Sequence, residues 1–140
     1  MKRILTYLFI FISACSLQAQ KNTIDSLENV LKQHITEDSI RVDILNKLSN
    51  SYVSFDLEKS FENAQEANTL SKKLNYKKGE AQSLLRFSHI NRKKSQLEEA
   101  ENNSLEAFKI FTEIDYLAGI MNSKISIGNV AMYKNDTEKG

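Results

Sequence analysis

Apolar residues recur at spacings of three and four along most of the chain, the signature of helices that bury one face. Ile24, Leu27, Val30 and Leu31 form the first such stripe and predict a helix over 23–35. Ile44, Leu45, Leu48 and Tyr52 predict a second over 39–54. The same rhythm predicts helices over 57–74, 77–93, 97–113 and 117–134. Polar residues with helix-capping side chains punctuate the stripes. Asn22 or Thr23, Asp38 and Asp56 stand where a side-chain oxygen accepts from a free first-turn amide. Ser95 and Glu98 read as a capping box for the fifth helix. Asp136, Thr137 and Glu138 read as the cap of a seventh.

Two of these stripes are copies in register. Leu57, Ala67, Leu70, Leu74, Tyr76 and Gly79 return 40 residues later as Leu97, Ala107, Ile110, Ile114, Tyr116 and Gly119, without a gap. A fixed period of about 20–50 residues marks stacked-repeat architectures. The expected fold is all-α, a solenoid of helix-turn-helix repeats. It has about two and a half helical pairs after an N-terminal helix over 20–38. The repeats fill 39–140 and stop within the third. On that reading the chain is the N-terminal piece of something longer, with Ile125, Ile127 and Val130 lacking their intended cover. The shared register also places Leu48, Phe87 and Ile127 at equivalent buried sites, and Ala67 and Ala107 at close helix crossings.

Composition agrees with helices joined by short turns: there is no proline and no tryptophan, and only four glycines interrupt 140 residues. The net charge is +1. Lys2 and Arg3 precede every acidic residue, so the body without them is close to neutral and lacks the basic footprint of a nucleic-acid binder. Residues 1–19 have the basic, apolar and small-residue order of a bacterial secretory signal peptide. The apolar run is shorter than the roughly 20 residues a membrane span needs. Two processing schemes are open. Cleavage after Ala19 leaves a soluble chain, while Ile12-Ser13-Ala14-Cys15 resembles a lipobox, which would leave a lipidated Cys15. Either scheme predicts export to the periplasm, with a body that keeps no thiol for a disulfide.

Catalytic patterns are missing from the chain. His34 and His89 are its two histidines, lie on different predicted helices and have no cysteine near them. No nucleophile elbow, His-Glu-x-x-His motif or phosphate-binding glycine loop occurs. Glu98, Glu99 and Glu101 sit where acids favour a helix N-terminus. His34 falls near a helix C-terminus, where the dipole favours a cation. The aromatic residues fall mostly at helix-packing intervals. The sequence therefore names no catalytic residue, metal ligand or cofactor.

Leu48-Ser49-Asn50-Ser51-Tyr52, Phe87-Ser88-His89-Ile90-Asn91 and Ile127-Gly128-Asn129-Val130-Ala131 each set a large apolar residue before Ser or Gly. Their partner helices carry Ser60-x6-Ala67 and Ala100-x6-Ala107. This pattern resembles the tetratricopeptide repeat. The longer period, with Asp56-Leu57-Glu58-Lys59 and Asp136-Thr137-Glu138-Lys139 opening second helices, is similar to the extended arrays of exported bacterial signalling proteins. Those are chiefly sensor histidine kinases and helix-turn-helix regulators of the Bacteroidetes type. HEAT-like helical repeats are the alternative. The resemblance implies a non-catalytic module for protein or peptide partners, tied to a membrane only through a lipid anchor or a downstream span. A free-standing periplasmic or lipid-anchored scaffold is the rival reading. The resemblance also implies a concave groove lined by first-of-pair helices. It assigns Asn50, His89 and Asn129 to that groove, then Asn46, Leu85 and Ile125 one turn earlier, and Asp43, Gln82 and Asn122 before them. The candidate partner-binding residues are Asn46, Asn50, Gln82, His89, Asn122 and Asn129.

Overall fold

Three residues with left-handed backbone set the rhythm of the molecule. Asn75, Ser95 and Asp115 have φ of 53°, 60° and 52°, and they lie 20 residues apart. At each, the residue itself donates its N–H three residues back and its successor donates five residues back. The pairs are Asn75 to Lys72 with Tyr76 to Ser71, Ser95 to Arg92 with Gln96 to Asn91, and Asp115 to Thr112 with Tyr116 to Phe111. This is the Schellman closure, which satisfies the last carbonyls of a helix and reverses the chain within three residues. Asn and Asp tolerate the left-handed region because their short side chains bond locally.

The computed structural model describes residues 21–137, with side chains to 135. The leader, with Ala19 and Cys15, lies outside the described residues. The fold is all-helical and repeat-like: α1 over 21–33, α2 Ser39–Tyr52, α3 Leu57–Lys73, α4 Lys77–Lys93, α5 Leu97–Glu113 and α6 Leu117–Thr137. From α3 onward a helix begins every 20 residues, so the 40-residue period is one helical pair. Asp38 and Asp56 cap α2 and α3 through bonds of 3.0 Å from the amides of Arg41 and Lys59. Ser95 does not cap α5. It belongs to the preceding turn, and Gln96 stands at the N-cap without a side-chain bond. Asp136 and Thr137 likewise continue α6 instead of capping a further helix.

Helices α2, α4 and α6 touch in sequence; α3 packs on α2 and α4, and α5 on α4 and α6. The core follows this arrangement as three clusters. Ile24 of α1 packs with Ile44, Leu48 and Tyr52, flanked by Leu27 and Leu31. Val42 and Leu45 pack with Ala67 and Leu70. Ala81, Leu84 and Leu85 pack with Ala107, Ile110 and Phe111. Ala67 and Ala107 are fully buried, as their register predicts. Leu48 is buried, whereas Phe87 and Ile127 are only half-buried. Val130 is fully buried, so it does not lack cover. Val30, Phe55, Phe61 and Tyr133 lie outside the core. Phe61 instead meets Phe87 with ring centroids 5.6 Å apart.

Small residues let these helices approach closely. Ser49 faces Ser60 at 3.3 Å where α2 crosses α3. Ser88, Ser104 and Ser126 close a ring of hydroxyls at 2.7, 2.9 and 3.1 Å where α4, α5 and α6 meet. Gly79 and Gly119 fit the same logic. A Cβ on Gly79 would sit 2.5 Å from Tyr76 and from Val42, and one on Gly119 would sit 2.3 Å from the Phe111 ring.

Candidate functional site

Helix α2 turns Asp43, Lys47 and Asn50 to one side, spaced by four and three residues. Helix α4 answers with Lys78, Gln82 and Arg86, each four residues apart, so all three stand on one face. With Thr23 and Leu27 of α1 they line an open groove of about 520 Å³. Its polar groups differ in how they are engaged. The Tyr76 hydroxyl donates to Asp43 at 3.1 Å, and burial beside that carboxylate pushes the phenol up to about 12. Arg86 donates to the Asn50 side-chain oxygen. Among the described residues Arg86 has no carboxylate partner, and burial lowers its pKa to about 10. The groove lining thus holds a half-buried guanidinium with only an amide to bond.

Of the six candidate residues, the structure brings Asn46, Asn50 and Gln82 to this groove. Asn46 is not a ligand-binding amide, however. It is 6% exposed. Its nitrogen donates to the Gly79 carbonyl at 3.2 Å, and its oxygen accepts from the Ser83 hydroxyl at 3.1 Å. Both ends are spent joining α2 to α4. Leu85, assigned to the same row, is buried in the α4–α5 cluster. Asn46 and Leu85 thus pack against neighbouring helices, whereas Ile125, the third of that row, is exposed. His89, Asn122 and Asn129 are outside the groove lining. His89 is largely buried, and desolvation, with Arg86 and Arg92 beside it, lowers its pKa to about 4. It is therefore a neutral imidazole at pH 7.

The amide pattern missed Lys47, Lys78 and Arg86, the cations of the groove. Their signal is the i, i+4 spacing of Lys78, Gln82 and Arg86, which a row of repeated Asn and Gln does not contain. Elsewhere, His34 bonds Asp38 at 2.8 Å in the turn between α1 and α2. The Asp38 carboxyl is held below its usual range first by the Arg41 amide and then by that histidine. Among the described residues no group of three or more His, Cys, Asp or Glu side chains is placed to hold a metal ion. None of the described helices is long and apolar enough to cross a membrane. No protein-family model, curated protein or solved structure matches the chain.

Proposed function

We propose that the chain is a non-catalytic protein-interaction module of the tetratricopeptide type, taking an extended peptide in the groove between α1, α2 and α4. The observation that carries this reading is the groove itself: an open strip of mostly polar side chains along α2 and α4, with an Arg86 guanidinium that has no carboxylate partner among the described residues. A half-buried cation without a counter-charge favours an acceptor-rich ligand, since a charge-assisted bond is worth about 1.5–3 kcal/mol. Peptide carbonyls and acidic side chains both supply such acceptors. Gln82 and Asn50 offer donors and acceptors to a peptide backbone whatever its sequence.

In this reading the module is exported and forms the extracytoplasmic sensory or scaffolding part of a signalling protein. The basic, apolar and small-residue order of residues 1–19 supports export. The test uses chain recovered from the periplasm, its leader loss checked by intact mass, against a display library of 12-residue peptides. Enriched peptides should bind about tenfold or more weakly to Arg86→Met, which keeps most of the side-chain volume while removing the donors. A library that yields no binder, or binders indifferent to Arg86→Met, would refute the groove. Retention of Met1 on cytoplasmic material would refute export.

A further inference from the structure

The bonds between α2 and α4 give the groove a direction. Tyr76, just before α4, bonds Asp43; Gly79 and Ser83 bond Asn46; Arg86 bonds Asn50. The partners ascend together, so the two helices run the same way and the groove has two chemically different ends. Asp43 marks one end and Arg86, beside Asn50, marks the other. Along α2 the step from Asp43 to Asn50 is about 10 Å, at a rise of roughly 1.5 Å per residue. Each end holds a charge whose bonding is incomplete. Arg86 bonds an amide and has no carboxylate partner among the described residues. Asp43 is the one acid among the residues that line the groove. Its Oδ1 accepts from the Tyr76 hydroxyl at 3.1 Å, and among the described residues its Oδ2 accepts no bond.

The two other charges of the lining do not neutralise Asp43. The Lys78 ammonium lies 5.3 Å from the centre of the Tyr116 ring, and Lys47 is exposed between the two ends. Among the described residues neither forms an ion pair with Asp43. Opposite charges at a fixed spacing sort ligands by orientation. A ligand carboxylate is attracted at Arg86 and repelled at Asp43, and an ammonium the reverse. An extended peptide advances about 3.3 Å per residue, so about three residues cover the distance. We infer that the groove binds its peptide in one direction, with an ammonium group at Asp43 and a carboxylate about three residues further on at Arg86. Asp43 is the residue that sets this direction. The ammonium comes from the peptide's own amino terminus or from a lysine side chain, which present the same group to the free Asp43 oxygen. This inference rests on the peptide groove proposed above and adds the class of peptide it takes.

The test uses the whole chain and a synthetic six-residue alanine peptide with glutamate at its third position and fluorescein on a carboxyl-terminal linker. In fluorescence anisotropy the probe with a free amino terminus should bind at least tenfold more tightly than its acetylated form. Asp43→Asn should erase that difference. The new amide oxygen can still accept from the Tyr76 hydroxyl, so circular dichroism of this variant should match the parent. Arg86→Met should weaken every form of the probe. An acetylated peptide with lysine three residues before its glutamate separates the two sources of the ammonium. Tight binding of that peptide, removed by Asp43→Asn, assigns the role to a side chain as well as to a terminus. If neither ammonium-bearing probe binds better than the acetylated alanine peptide while Arg86→Met still weakens binding, the direction is wrong and the groove stands. A preference for the ammonium that survives Asp43→Asn would overturn the role of Asp43. Binding of none of the probes would overturn the inference, and the display library then decides the groove by itself.

Discussion

Replacing two glycines of one helix by alanine should move stability in opposite directions. Both Gly119 and Gly128 lie in α6, and alanine in a helix interior is favoured over glycine by about 0.8–1.0 kcal/mol. At Gly128 nothing stands within 4 Å of the new methyl. Gly128→Ala should therefore stabilise the chain by about 0.5–1 kcal/mol, the propensity gain alone. At Gly119 the methyl would fall 2.3, 2.4 and 2.6 Å from three atoms of the Phe111 ring. That ring is 1% exposed and packed against Tyr116 with centroids 5.6 Å apart, so it has no free direction of retreat. Overpacking of this kind costs about 1–3 kcal/mol. Gly119 sits in the first turn of α6, where the compensating propensity gain is reduced, leaving a net loss of about 1–2 kcal/mol. Thermal melts followed by circular dichroism at 222 nm resolve both, since 1 kcal/mol shifts the midpoint by about 3–5 °C for a domain of this size. If Gly119→Ala melts at or above the parent, the close seat of Phe111 on α6 is wrong.

Two further outcomes follow from the turns and from His89. Ser95 adopts φ 60° without the local side-chain bonding of Asn or Asp, so Ser95→Gly should stabilise by up to about 1 kcal/mol in urea titration; a loss would contradict the left-handed turn. The pKa of His89 falls from an ordinary 6.5 to about 4 in the fold, so the unfolded chain takes up its proton first as pH drops. Stability from this group is complete above pH 6.5 and is lost as pH falls from there toward 4, by about 1.5 kcal/mol between pH 6.5 and 5. His89→Gln should flatten that slope, and an imidazole seen by NMR to be protonated at pH 5.5 would contradict the burial.

Most of the architecture was legible because local and tertiary preferences agree. The 40-residue ladder from Leu57 to Gly79 predicts helix limits that α3, α4 and α5 reproduce within a residue. Errors arose where a residue serves two patterns. Ser95 and Glu98 satisfy the capping-box spacing, yet the Schellman turn three residues long claims Ser95 first. Asn46 looks like a surface amide on an amphipathic helix, but a polar side chain also suits a buried crossing when both its ends find partners. Gly79 and Ser83 supply those partners from another helix, which no local window contains. The groove cations were readable as spacing but not as a site, because α1 and α2 complete it from residues more than 25 positions away. Val130 illustrates the same limit: its cover comes from helices packed beside α6, not from a missing successor.

Contacts among the described helices α2 to α6 reach no farther than the next helix but one. Each step of assembly therefore closes a loop of only a few tens of residues, and loop-closure entropy grows slowly with length. Such a chain folds by local zipping, and its speed is set by neighbouring pairs instead of by distant ends finding each other. Cooperativity has the same short range. Helix α4 is clasped by α2, α3, α5 and α6, while α6 is held by α4 and α5. Loosening accordingly begins at the α6 end and travels inward one helix at a time, so a partly peeled molecule keeps its α2–α4 cleft intact after the far end has melted.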